Sequence, residues 1–188
     1  MHIFIAGGHG KIALLLSRLL ADAGHKPTGF IRNPDHAADV RAAGADPVVL
    51  DLEKSTRDEV AAALAGADAV VFAAGAGPGS GPERKLTVDR DGAILLAEAS
   101  VAAGVGRFVV VSSIGADDFD PESDDEMQIY LRAKGDADAA VRALDLDWTI
   151  VRPGGLTNDA PTGLVIVAER SDRSSIPRAD VAAVIAAA

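Results

Sequence analysis

The feature that most restricts the fold lies at the start of the chain. Ile3-Phe4-Ile5-Ala6 runs into Gly7-Gly8-His9-Gly10-Lys11, and Ile12 then begins a helical repeat of Leu and Ile that reaches Leu20. A short, wholly apolar strand asks to be covered on both faces. Glycines between a strand and a helix allow a tight turn and let the backbone come close to a ligand. The helix N-terminus that follows favours negative charge, so the three pieces together predict a pyrophosphate-binding turn. Its candidate binding residues are Gly7, Gly8, His9, Gly10, Lys11 and Ile12, with Ala13 in the third small position where helix and strand pack closely. Glycine clusters also mark ordinary turns. The place of this one, between a first strand and a first helix, gives it weight.

The rest of the chain repeats the alternation. Phe30-Ile31 ends a second strand, and a helix opened by Pro34-Asp35 stops at Gly44. Val48-Val49-Leu50, Ala69 to Phe72, Phe108 to Val111 and Trp148 to Val151 read as four more strands. Helices are expected from Asp58 to Leu64, from about Glu83 to Ala103, and from Met127 to Leu144. Strands that are continuous Val and Ile runs are buried on both faces, which means a parallel sheet between helices. The expectation is an α/β fold: a doubly wound, mostly parallel sheet in a three-layer α/β/α arrangement with right-handed crossovers. No repeat or long linker divides it. Residues 1–188 read as one dinucleotide-binding Rossmann domain, with a small substrate-side segment from about 153 to 188. Trp148, at the start of a strand, reads as core.

Composition narrows the partners. A net charge of −10 would repel nucleic acid and anionic membranes. The chain has no cysteine, which removes disulfides, thiolate nucleophiles and Cys-based metal sites. No apolar run approaches the ~18 residues of a membrane span, and Met1-His2 leads straight into a strand without a leader. The expectation is a soluble, cytoplasmic protein acting on a small molecule, as a monomer or homodimer. His2, His25 and His36 lack ligand spacing. The acidic stretch from Asp117 to Glu126 lacks the glycine of a calcium loop and reads as a solvated lid, so no metal is expected.

Two further places carry chemistry. Sites that prefer NAD put an acidic residue about 20 positions beyond the glycines. This chain has Arg32-Asn33 there, and a guanidinium suits a 2′-phosphate, so NADP(H) is favoured over NAD(H). Farther on, Ser112-Ser113 ends the fifth strand, at the sheet edge where ligands of open α/β folds bind. Tyr130 and Lys134 stand four apart on a helix and share a face. The chain has one tyrosine and five lysines, so chance places a lysine at that offset on the order of 3% of the time. A cation beside a phenol favours its ionised form, which makes the pair suited to proton transfer.

With these residues in place, the chain resembles the short-chain dehydrogenase/reductase superfamily, and most of all its compact atypical branch of NAD(P)-binding, epimerase/dehydratase-like proteins. Gly7, Gly10 and Ala13 match the family's glycine loop, and Asp51-Leu52 its acidic turn beside adenine. Ala73-Ala74-Gly75 is similar to the small-residue segment along the cofactor. Ser112-Ser113 resembles the serine-bearing end of strand five, and Tyr130 with Lys134 the Tyr-x-x-x-Lys pair. Arg152-Pro153-Gly154 is similar to the turn flanking nicotinamide, with Pro153 as the cofactor contact. The resemblance implies hydride transfer between a nicotinamide and a carbonyl or alcohol. Ser113 would orient the substrate oxygen, Tyr130 would move the proton, and Lys134 would bind the nicotinamide ribose. It also implies two other functions: a nicotinamide-sensing regulator without turnover, and a sugar epimerase or dehydratase. Extended members carry a large substrate lobe, whereas only Thr157 to Ala188 follow the turn here. That suggests a shortened C-terminus and favours a small carbonyl or a flat aromatic substrate over a sugar nucleotide. Asp89, on the long helix, reads as a packing residue.

Overall fold

Valine, isoleucine and phenylalanine line both faces of one parallel sheet. The computed structural model describes residues 1–77, 79–168 and 174–188. Its strands are β1 (His2–Ala6), β2 (Lys26–Ile31), β3 (Asp46–Val49), β4 (Ala69–Phe72), β5 (Arg107–Val111) and β6 (Asp147–Val151). They lie in the order β3-β2-β1-β4-β5-β6, and every neighbouring pair is parallel. The helices are α1 (Lys11–Asp22), α2 (Ala37–Ala42), α3 (Arg57–Ala63), α4 (Pro82–Arg84), α5 (Gly92–Ala102), α6 (Glu126–Arg142) and α7 (Arg178–Ala187). A parallel pair of short strands, β7 (Gly155–Thr157) and β8 (Ser175–Pro177), lies outside the main sheet. This is the doubly wound, three-layer arrangement that the alternation predicts. Among the described residues no helix is long and apolar enough to cross a membrane.

Successive side chains of a strand point to opposite faces, so each unbroken apolar run divides between two cores. Phe4, Phe30, Phe72 and Phe108 all turn to one face, where they meet Val60, Leu64, Leu96 and Val141 from the α3, α5 and α6 side. Ile3, Ile5, Val71 and Val109 turn to the other, against Leu16 and Leu20 of α1 and Val181 and Ile185 of α7. Helix starts are set locally. Thr56 and Glu59 form a reciprocal capping box at α3, and Asp125 accepts from the amides of Met127 and Gln128 at α6. No side chain caps α1.

Two expectations need correction. The long helix from Glu83 to Ala103 is not uniform: a π-helical stretch, Lys85–Asp91, separates α4 from α5 and buries Lys85 and Asp89. Such bulges are rare and gather at functional sites. Trp148 is not core, being 40% exposed, because β6 is an edge of the sheet. Its ring carries the Arg142 guanidinium at 6.0 Å.

Gly8, in the turn after β1, packs directly against Gly29 of β2. A Cβ there would lie 2.7 Å from Gly29 Cα and 2.8 Å from Gly29 C, both backbone atoms that cannot swing aside. Gly8→Ala is expected to lower the unfolding free energy in urea by about 1–3 kcal/mol. Gly106→Ala, whose Cβ would meet nothing within 4 Å, is expected to change it by less than about 0.5 kcal/mol. Equal effects of the two would show that the contact at Gly8 is not as tight as described.

Candidate active site

The chain leaves β1 toward β2 and β3, then returns past β1 to β4. The C-terminal ends of β1 and β4 therefore diverge into a crevice, the place where open α/β sheets bind ligands. Gly7 sits there with φ +78°, and a Cβ on it would fall 2.6 Å from Ala74 Cα and 2.9 Å from the Ala73 carbonyl oxygen. The turn is held from below: Gly8 N–H donates to Phe30 O at 2.8 Å, and Gly10 N–H to Gly7 O at 2.7 Å. With no capping side chain and no acidic residue in its first turn, α1 leaves its leading amides to a ligand.

A cleft of about 280 Å³ opens above this turn. Gly7, His9 and Gly10 line it from the glycine turn, Arg32 from the end of β2, Asp51 and Leu52 from beyond β3, and Ala73, Ala74 and Gly75 from beyond β4. Four strand ends thus bring most of the expected cofactor residues to one wall. Three of the expected residues contribute differently. Ile12 is buried in the α1 core, so only its backbone can serve a ligand. Asn33 accepts from Asp35 N–H at 3.0 Å, capping the 3-10 turn Pro34–His36. Lys11 Nζ donates to Asn158 Oδ1 at 3.3 Å.

The cleft also holds residues the sequence did not suggest. His36 stacks on His9 with ring centroids 3.7 Å apart, and His9 Nε2 pairs with Asp39 Oδ2 at 2.8 Å. Glu53 gathers three donors: Arg32 at 3.1 Å, Arg84 at 2.8 Å and Thr87 at 2.8 Å. Burial works to raise the Glu53 carboxyl, but bonds from Arg84 and Thr87 and the charges of Arg84 and Arg32 outweigh it and hold it below the usual range.

The second half of the site lies on the far side of β4. Lys134 is buried and its Nζ lies 3.1 Å from Asp89 Oδ1 and 3.1 Å from the Val111 carbonyl oxygen. Asp89 in turn accepts from Ala76 N–H at 3.0 Å. Asp89 therefore carries charge into the core, a fuller part than packing. The Tyr130 ring, half-buried, has two ammonium groups beside it: Lys134 at 5.8 Å and Lys85 at 5.7 Å from its centroid. Lys85 itself is tied by a 2.7 Å bond to Gly77 O. Among the described residues the Tyr130 hydroxyl makes no hydrogen bond.

The two serines diverge. Ser112 is buried and donates to Asp138 Oδ2 at 2.8 Å, so any cofactor contact falls to its backbone. Ser113 is half-buried, with its hydroxyl on Ile114 O at 3.2 Å. The Pro153 carbonyl accepts from Ile114 N–H at 3.0 Å, which fixes the turn after β6 against the end of β5. Arg152 clamps the same region, reaching Asp138 at 2.7 Å and both carboxylate oxygens of Asp117. Part of the acidic stretch is thus engaged: Asp117 is latched to Arg152, Asp125 caps α6, and Glu126 lies 3.7 Å from Lys85. Hydrogen bonds from Arg152 pull the Asp117 carboxyl below its usual range against the effect of burial, helped by the charges of Arg152 and Arg142.

A parallel sheet in this order, with an uncapped glycine turn at its crossing point, defines an NAD(P)-binding Rossmann protein. The glycine positions, where a side chain would collide with backbone, and the open helix start fit a dinucleotide pyrophosphate. Comparison with known proteins agrees. Residues 7–188 match the NAD(P)H-binding family. The chain is 38% identical over 188 residues to the Bacillus subtilis protein named uncharacterized sugar epimerase YhfK, spanning 100% of this chain and 87% of that one. A Bacillus halodurans structure, described as a candidate NAD-dependent epimerase/dehydratase, matches with a TM-score of 0.91 and 40% identity over 99% of this chain and 86% of its own. The oxidoreductase ylbE from Lactococcus lactis matches with a TM-score of 0.83 and 29% identity over 98% of this chain and 83% of its own. The chain belongs to the NAD(P)H-binding family, and its structural neighbours lie in the NAD-dependent epimerase/dehydratase and atypical short-chain dehydrogenase/reductase group.

Lys134→Met leaves the buried Asp89 without its counter-charge and is expected to cost about 3–5 kcal/mol of unfolding free energy in urea. A loss below about 1 kcal/mol would show that the pair is more hydrated than its burial indicates. The Asp117 carboxyl is lowered on folding, so its contribution is complete above its unfolded value of about 4 and is lost as pH falls through the folded one. The stability gap between wild type and Asp117→Asn is therefore expected to narrow between pH 5 and pH 2. A gap that is constant over this range would contradict the Arg152 latch.

Proposed function

We propose that this chain is an NADP(H)-dependent oxidoreductase that moves a hydride between the cofactor and a small carbonyl or alcohol, or a flat aromatic compound. The observation that carries the reading is a continuous set of contacts. The loop after β4 gives its Ala76 amide to Asp89, Asp89 pairs with Lys134, and the Lys134 ammonium stands beside the Tyr130 ring. The Tyr–Lys pair is thereby held in register with the loop that would lie along the cofactor.

Gly7, Gly8, Gly10 and the start of α1 would hold the pyrophosphate, Arg32 the 2′-phosphate, Asp51 and Leu52 the adenine, and Ala73 to Gly75 the path toward the nicotinamide. When bound there, the nicotinamide would supply or accept the hydride. Tyr130, whose hydroxyl is unengaged among the described residues, gives its proton to the substrate oxygen in reduction and takes it back in oxidation. Ser113 orients that oxygen by exchanging its bond to Ile114 O for one to the substrate. Lys134 keeps a fixed positive charge beside the phenol. With a net charge of −10 and exposed carboxylates before α6, the surface disfavours anionic substrates.

The name of the Lactococcus lactis neighbour, an oxidoreductase, supports this reading. The Bacillus subtilis relative is named a sugar epimerase, which supports a second one: the same cofactor site with no net change in the cofactor. Tyr130→Phe separates the claims. It is expected to lower carbonyl-dependent NADPH oxidation by about 100-fold or more, while NADPH binding followed by fluorescence stays within about twofold. Turnover that survives the change would remove Tyr130 as the acid. Interconversion of sugar nucleotides by the wild type, without net cofactor oxidation by any carbonyl tried, would favour the epimerase.

A further inference from the structure

We propose that Arg84 is a second determinant of the 2′-phosphate site, so that NADP(H) is recognised by a pair of guanidiniums held together by Glu53. This deepens the NADP(H) reading and rests on it. Arg32 follows β2, and Arg84 comes from α4 on another part of the cleft wall. Both reach the same oxygen, Arg32 Nη1 at 3.1 Å and Arg84 Nη2 at 2.8 Å from Glu53 Oε2. The other carboxylate oxygen is occupied by Thr87 Oγ1 at 2.8 Å, which fixes the plane of the carboxylate.

Two guanidiniums do not approach each other unaided, because like charges repel. A carboxylate between them removes that cost and sets where each fork points. Two cations against one anion leave the cluster with an excess positive charge, and neither arginine is sealed off: the side chains are 57% exposed at Arg32 and 34% at Arg84. A phosphate dianion is the ligand such a cluster suits, since each fork can offer it parallel N–H donors. The cleft that carries the glycine turn also carries this cluster, which puts it at the adenosine end of the site. The competing role for Arg84 is a stacking wall for adenine, which would serve NADH and NADPH alike. The two roles differ in what they do for a ligand that lacks the phosphate.

The test is calorimetric binding to the purified chain, with no turnover needed, using NADPH, NADH, 2′,5′-ADP and 5′-AMP on wild type, Arg32→Met, Arg84→Met and the double variant. The wild type is expected to prefer NADPH and 2′,5′-ADP. Arg84→Met is expected to weaken those two by on the order of tenfold or more, and to leave NADH and 5′-AMP within about threefold, which also shows that the variant is folded. The double variant is expected to lose less than the product of the single losses, because the two arginines share one ligand and one carboxylate. Equal weakening of all four ligands would make Arg84 an adenine wall and overturn the inference alone. A preference for NADPH that depends on Arg32 and ignores Arg84 would do the same. A wild type without preference would overturn the NADP(H) reading together with the guanidinium pair.

Discussion

Close approach of backbone to backbone at the end of β1 governs the rest of this structure. The turn after β1 is wedged between two neighbours: Gly7 lies against the chain leaving β4, and Gly8 against β2 at Gly29. A side chain at either place would hold the strand ends apart. With both glycines present, the ends of β1, β2, β3 and β4 converge on one cleft, and the uncapped start of α1 faces it. The position of the site thus follows from a packing constraint at the crossing of the sheet, before any charged residue is considered.

The charged residues then act as spacers between pieces of chain that the sheet brings near. Asp89, in the π-helical stretch, joins the loop after β4 to Lys134 of α6. A buried carboxylate and a buried ammonium each lose hydration, and only their pairing and their additional bonds to Ala76 N–H and Val111 O make the arrangement tolerable. Such a pair contributes little net stability but fixes a distance. Arg152 does similar work at the next strand, where it holds α6 through Asp138 and the loop after β5 through Asp117. Ser112 shares the Asp138 carboxylate. The Tyr130 ring lies beside the Lys134 and Lys85 ammonium groups, and among the described residues its hydroxyl makes no hydrogen bond.

Solved neighbours share this fold while carrying different names. An oxidoreductase and an epimerase differ in what happens after the hydride moves, and the dinucleotide cleft does not record that difference. Beyond that cleft lie the loop after β5, the turn after β6 and the small β7–β8 pair, with Thr162 and Gly163 anchored on Asp180 of α7. These parts follow no strong periodicity, so little about them could be read in advance.

The elements themselves were legible because they are local. Apolar runs of strand length, helical repeats and the glycines between them are patterns within a few residues of each other. Tyr130 and Lys134 were legible for the same reason, since four residues on a helix set a shared face. Arg32 could be singled out by its place at the end of the second strand. What the sequence could not show is everything that depends on strand order. Trp148 has a core-like pattern but lies at the sheet edge, where no further strand covers it. Asp89 reads as packing in the sequence because its partner, Lys134, stands on another helix, and no local pattern announces the π-helical stretch that buries it. Glu53, Arg84 and His36 come from separate segments, and their meeting with Arg32 and His9 requires β1, β2, β3 and β4 to lie side by side. The sequence alone determined the alternation, the glycine turn and the Tyr–Lys pair, because steric rules along the chain suffice for those. The tertiary structure decided which charges meet, because Coulombic and hydrogen-bond partners are chosen by distance in space and not by distance along the chain.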